Sequence, residues 1–192
     1  DGCVWPVHEL DDDVTEAEQT ALYLGSAGMI WALRRLGTSL DLDAVALAAL
    51  ERYLETANPA EQASLFAGEP ALLLLTRSDD ERLRTLISDN EHNPHWELLY
   101  GSAGSIVAAR AAGFDTEAER LATTLVAERD DEGLWTQQFI FHNHSARYLG
   151  PAHGFAGNVH VLRGFVPDDE LPTLAPMVRI SSLERPSESH AS

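Results

Sequence analysis

Leu22-Tyr23-Leu24-Gly25-Ser26-Ala27-Gly28, running on into Met29-Ile30-Trp31-Ala32-Leu33, is an apolar cassette punctuated by two glycines three residues apart. It returns as Leu98-Leu99-Tyr100-Gly101-Ser102-Ala103-Gly104, followed by Ser105-Ile106-Val107-Ala108-Ala109. A further copy is Ala152-His153-Gly154-Phe155-Ala156-Gly157, followed by Asn158-Val159-His160-Val161-Leu162. Between the first two lies a degenerate copy, Ser64-Leu65-Phe66-Ala67-Gly68-Glu69-Pro70-Ala71, leading into the run Leu72 to Leu75. Self-similarity at long spacing marks a repeat architecture, in which each unit buries its apolar face only by stacking on its neighbours.

The segments between cassettes are of a different kind. Asp41 to Ala57 places Leu42, Val45, Ala46, Ala49, Leu50, Tyr53 and Leu54 on one helical face and ends near Pro59. After Gly113, Thr116 and Glu119 have capping-box spacing, and Leu121, Ala122, Leu125 and Val126 continue a stripe. Asp80 to Ser88 carries Leu83, Leu86 and Ile87. These read as amphipathic helices with one wet face, whereas the cassettes are apolar nearly all round and suit helices buried on every side. The pattern predicts an all-α fold of helical hairpins, one inner and one outer helix each, stacked as a ring or solenoid. Glycines at the head of each inner helix predict a close approach of a neighbouring helix or a ligand, since each costs about 1 kcal/mol of helix propensity.

Length and composition fit one globular domain: 192 residues, 44% hydrophobic, with 9 Pro and 13 Gly. From Asp168 onward Pro172, Pro176 and Pro186 break the pattern, and Ser181 to Ser192 is rich in Ser and Glu. Residues 1–180 are therefore read as the helical unit and 181–192 as a mobile tail. The formal net charge of -18, from 31 acidic and 13 basic residues, argues against nucleic acid and an anionic membrane surface as partners. Cys3 is the single cysteine, and no apolar run approaches membrane-spanning length, so a cytoplasmic protein is expected.

His153 adds an imidazole to the last cassette where the other copies have none, in the turn that feeds an inner helix, the place for a general acid or base near neutral pH. The competing structural reading is a packed, hydrogen-bonded helix-start histidine. Glu97, four residues before Gly101, is the carboxylate placed comparably in another cassette; it either shares that end with His153 or is a solvated or N-terminal helix carboxylate favoured by the helix dipole. His142, His144 and His153 raise a metal reading, weakened by the absence of a nearby Cys and by the loop-like segment Gln137 to Ser145. His160 reads as a core or pocket-edge residue, Trp135 as a core anchor joining hairpins, and Trp5-Pro6-Val7 as a docking strand or loop. There is no phosphate-cradling Gly-rich loop with Lys and no Gly-x-Ser-x-Gly elbow.

Gly25-Ser26-Ala27-Gly28, Glu97 to Gly104, Leu134-Trp135 and Tyr148-Leu149-Gly150-Pro151-Ala152-His153-Gly154-Phe155-Ala156-Gly157 together resemble lanthionine synthetase C-like (LanC-like) proteins, over about Tyr23 to Gly164. The resemblance implies a double-layered α/α toroid, of which this chain supplies about four of the family's seven hairpins, from the N-terminal part. It implies zinc-dependent addition of a thiol, from Cys or glutathione, to dehydroalanine or dehydrobutyrine in a peptide or protein substrate. Zinc would generate the thiolate, and a nearby His and carboxylate would handle the proton at the enolate carbon. Carried over by motif, His153 and Glu97 are the catalytic candidates. The family's zinc ligands, two Cys and a His from later repeats, have no counterpart here, since Cys3 precedes the first cassette and no Cys-His-Gly occurs. The chain by itself is therefore expected neither to hold stoichiometric zinc nor to consume glutathione.

Two other functions compete. One is a non-catalytic helical-repeat scaffold that holds a peptide or protein. The other is a carbohydrate-active α/α toroid using Glu97 with Asp130 or Asp131 as paired carboxylates. An incomplete ring also predicts self-association through exposed inner helices.

Overall fold

The computed structural model describes residues 5, 14–57, 59, 61–139, 144–167 and 170. Cys3, His142 and the tail 181–192 lie outside these residues. The described chain is mostly helical: α1 (Ser26–Arg35), α2 (Asp43–Thr56), α3 (Pro70–Thr76), α4 (Asp80–Asp89), α5 (Ser102–Ala112), α6 (Asp115–Ala127) and α7 (Phe155–Leu162). Each of α1, α3, α5 and α7 begins inside a cassette. A small antiparallel hairpin of β1 (Gln137–Phe139) and β2 (His144–Ala146) interrupts the helices, with Gln137 opposite Ala146, where the sequence predicted only loop.

The glycine spacing has a local cause. Before α1 and α7 the chain turns back, so that the first helical amides donate to carbonyls seven residues earlier: Ser26 N to Gln19 O at 2.9 Å, Phe155 N to Tyr148 O at 2.9 Å. This backbone return satisfies amides that have no partner inside the helix, and no side chain caps α1, α5 or α7. It also brings the loop carbonyls so close that a Cβ on Gly28 would overlap the oxygen of Leu22, and one on Gly157 that of Pro151. The close neighbour foreseen at these glycines is therefore the chain's own preceding loop, and neither another helix nor a ligand.

Cassette helices pack as a row, α1 on α3, α3 on α5 and α5 on α7, while α2, α4 and α6 each pack on the cassette helix beside them and α4 touches α6. At one end the row is stitched by arginines. Arg34 Nη1 donates to Leu75 O at 2.8 Å, Arg77 Nη2 to Ala111 O at 3.1 Å, and Arg110 Nη1 to Arg163 O at 3.4 Å. Each arginine thus satisfies a carbonyl at the C-terminal end of the next cassette helix, where such groups lack helical partners and favour positive charge. With their C-terminal ends tied together, the cassette helices run parallel and their glycine loops share the opposite end. Between the other helices, Arg84 of α4 pairs with Glu117 of α6, and Arg120 of α6 pairs with Glu91 in the turn just past α4.

One continuous core includes Tyr53, Leu72, Leu83, Ile87, Ile106, Leu121, Leu125 and Leu162. Trp135 is the anchor expected of it, 1% exposed with Nε1 donating to Leu125 O at 2.7 Å. A satellite cluster of Ile30, Leu42 and Ala46 has Trp5 packed on it. Four expectations need correction. The α1 cassette is not buried all round, because Trp31 is 55% exposed and Met29 is also exposed, whereas in α5 the apolar residues other than Val107 and Ala111 are covered. Leu54 lies outside the buried face of α2, and His160 is exposed on α7. The capping box is not formed: α6 starts at Asp115 with Phe114 at the N-cap, which puts Thr116 inside the helix.

Helix propensity alone makes Gly28→Ala and Gly157→Ala stabilising by about 1 kcal/mol each. The carbonyls of Leu22 and Pro151 reverse that sign, and each change is expected to cost about 1 to 3 kcal/mol in urea unfolding, as for overpacking a filled interior.

Candidate functional site: a buried carboxylate on a half-exposed histidine

The loop before α5 is fastened internally. Asn90 Nδ2 donates to Tyr100 O at 3.1 Å and to Ser105 Oγ at 2.9 Å, and Asn93 Nδ2 donates to Tyr100 O at 3.1 Å and Asn90 Oδ1 at 2.8 Å. Asn93 Oδ1 accepts from His95 N at 3.0 Å. Within this framework Glu97 folds back over the turn that precedes α5 and accepts from Leu99 N at 2.9 Å and Tyr100 N at 2.6 Å. The loop before α7 lies against it, with Leu98 N donating to Ala152 O at 3.2 Å.

That contact brings together the two residues singled out by sequence. His153 Nδ1 lies 3.1 Å from Glu97 Oε2, across 56 positions of chain. Glu97 is fully buried, which excludes its reading as a solvated carboxylate, while the His153 side chain is 41% exposed. A carboxylate on Nδ1 fixes the imidazole's orientation and tautomer. Burial pushes the Glu97 carboxyl above the usual carboxylate range, against the opposing pull of the Tyr100 and Leu99 amides and His153.

Aromatic rings flank the pair. The Tyr100 ring stacks near His153, 6.5 Å between centroids and 20° between planes, and Tyr148 sits at 6.3 Å on a tilt. His95 lies 5.6 Å from Tyr100, and burial followed by the charge of His153 pushes its imidazole below the usual histidine range. Tyr100 is pushed above the ordinary phenol range, first by burial and then by Glu61, Glu97 and Glu18. Sequence reading missed His95, Tyr100 and Tyr148, whose only signal is a place in the same loops as Glu97 and His153.

The other candidates are placed elsewhere or in other roles. Asp130 Oδ1 accepts from Glu132 N and Leu134 N, and its other oxygen pairs with Arg147 at 2.9 Å, so the carboxylate makes a turn and an ion pair; Asp131 is exposed. His144 falls in β2. Among the described residues no three His, Cys, Asp or Glu side chains gather so as to hold a metal ion, and no helix is long and apolar enough to cross a membrane. Away from the pair, a groove of about 680 Å³ runs along α1, α3 and α5, walled by Tyr23, Trp31, Phe66, Leu74, Leu75 and Val107. No protein-family model matches the chain, and no curated protein or solved structure is detectably similar to it.

A carboxyl raised by burial favours folding in its protonated form, so its stabilising contribution is present at low pH and is lost as pH rises through and above the ordinary carboxylate range. Glu97→Gln, permanently neutral, is expected to remove this fall. Urea unfolding of both proteins at about pH 4, 6 and 8 checks it: the wild type should lose ground relative to the variant as pH rises.

Proposed function

We propose that this chain is the N-terminal part of a lanthionine synthetase C-like α/α toroid, and that Glu97 and His153 move the proton in thiol addition to a dehydroalanine or dehydrobutyrine residue. The observation that carries the reading is the 3.1 Å contact between Glu97 and His153, the two residues that the motif resemblance selects, in adjacent cassette loops. The row of parallel cassette helices with outer helices against it supports the toroid.

In this reaction a thiolate adds to the β-carbon of the dehydro residue, forming the C–S bond as the C=C electrons move onto the α-carbon and its carbonyl. His153 Nε2 then gives its proton to the α-carbon. Glu97 holds Nδ1 throughout and stabilises the imidazolium that donates. A metal-bound thiolate belongs to the family's chemistry; the described residues offer no ligand set for one, and the proton transfer itself needs only Glu97 and His153.

A thiol acidic enough to be ionised at neutral pH separates proton delivery from thiolate generation. With such a thiol and a dehydroalanine peptide, the chain is expected to accelerate addition and give one configuration at the new α-carbon. His153→Asn should lower the rate roughly 10²-fold and return a diastereomer mixture by chromatography, as for loss of a general acid. No acceleration by the wild type would sink the reading.

A non-catalytic scaffold that holds a peptide is the second reading, and the apolar groove along α1, α3 and α5 favours it. Peptide retention abolished by Trp31→Ala but untouched by His153→Ala is its expected signature in a binding titration. The carbohydrate-active reading has no such support, because Asp130 is already paired.

A further inference from the structure

We propose that Asn158 is a positioning residue for the Glu97–His153 pair and acts through the Trp96 peptide; the inference rests on that pair being the working site. Asn158 lies in α7, one turn beyond Gly154, and is fully buried. The corresponding places in the other cassettes hold Met29, Leu72 and Ser105, so an amide here follows from no requirement of the repeat. Its Nδ2 donates to Trp96 O at 2.7 Å, across 62 positions of chain.

The carbonyl it holds belongs to a strained residue. Trp96 has φ +44°, in the left-handed region that a non-glycine residue occupies only when its surroundings enforce it. Trp96 immediately precedes Glu97, so the setting of its peptide fixes where the Glu97 backbone begins. The α7 side thus grips this loop at three points: Asn158 on Trp96 O, Ala152 O on Leu98 N, and His153 on the Glu97 carboxylate. Released from Asn158, the Trp96 peptide relaxes toward negative φ and swings the start of Glu97. A 3.1 Å contact stands near the long end of the hydrogen-bond range and does not survive a shift of about half an ångström in the wrong direction.

The test reads the pair by its own signature. An imidazole Nδ1 proton held by a carboxylate gives a downfield proton resonance, assignable to His153 by its loss in His153→Asn. The variant is Asn158→Ser, because Ser105 shows that a buried serine is accommodated at this place in a cassette helix, while a serine hydroxyl is too short to reach Trp96 O. The control is Val161→Ala, which removes buried packing from the same helix while leaving every hydrogen bond to the loop in place, since the valine side chain makes none. The resonance is expected in the wild type and in Val161→Ala and lost in Asn158→Ser. Its persistence in Asn158→Ser, its equal loss in Val161→Ala, or its absence from the wild type overturns the inference. Catalysis plays no part in the readout: a chain that shows this pattern yet adds no thiol keeps Asn158 as the positioning residue and sinks the reaction assigned to the pair.

Discussion

The structure depends on a backbone contact: the loop before each cassette helix doubles back against the helix's first turn, carbonyl to helix face, with room for a hydrogen where a side chain would stand. Backbone groups at a helix start need partners, and here the loop's own carbonyls supply them. A glycine at the helix head allows that approach, and in α1, α5 and α7 a second glycine three residues on extends it. The degenerate cassette shows the limit of the rule, since Ala71 stands at the second glycine position and the helix after it, α3, is among the shortest.

From this local device the site follows. Parallel cassette helices, tied at their C-terminal ends by Arg34, Arg77 and Arg110, bring the doubled-back loops to one end. The loops before α5 and α7 are neighbours there because α5 packs on α7. Glu97 is in one loop and His153 in the other. Glu97 is buried with its carboxylate turned inward to accept the Leu99 and Tyr100 amides of the turn before α5, so the group that steadies this loop is also the group that orients the histidine. A raised carboxyl and a half-exposed imidazole in contact form one proton-sharing unit, in which a change at either partner is felt by both.

The acidic surface has little to do with this unit. Among the described residues most of the charged side chains lie on α2, α4 and α6 and the loops between helices, where exposed ion pairs contribute little to stability. The pairs that join elements are the ones that matter structurally, above all Arg82 on the buried Glu69, which ties α4 to the N-cap of α3.

The sequence by itself determined the helix list, the alternation of cassette and amphipathic segments, and the two residues to watch, because apolar periodicity and glycine punctuation are local and survive as pattern. It also marked Trp135 as an anchor. It erred where exposure depends on what packs against a helix: an apolar face at Met29 and Trp31 looked internal, and Leu54 and His160, read as buried or pocket-edge, are exposed. Only the tertiary structure decided that Glu97 and His153 touch, that Tyr100 and Tyr148 flank them, and that Asn158 reaches Trp96. Those contacts join loops about 50 to 60 residues apart, and their geometry is set by how α5 and α7 pack, which no window of sequence contains.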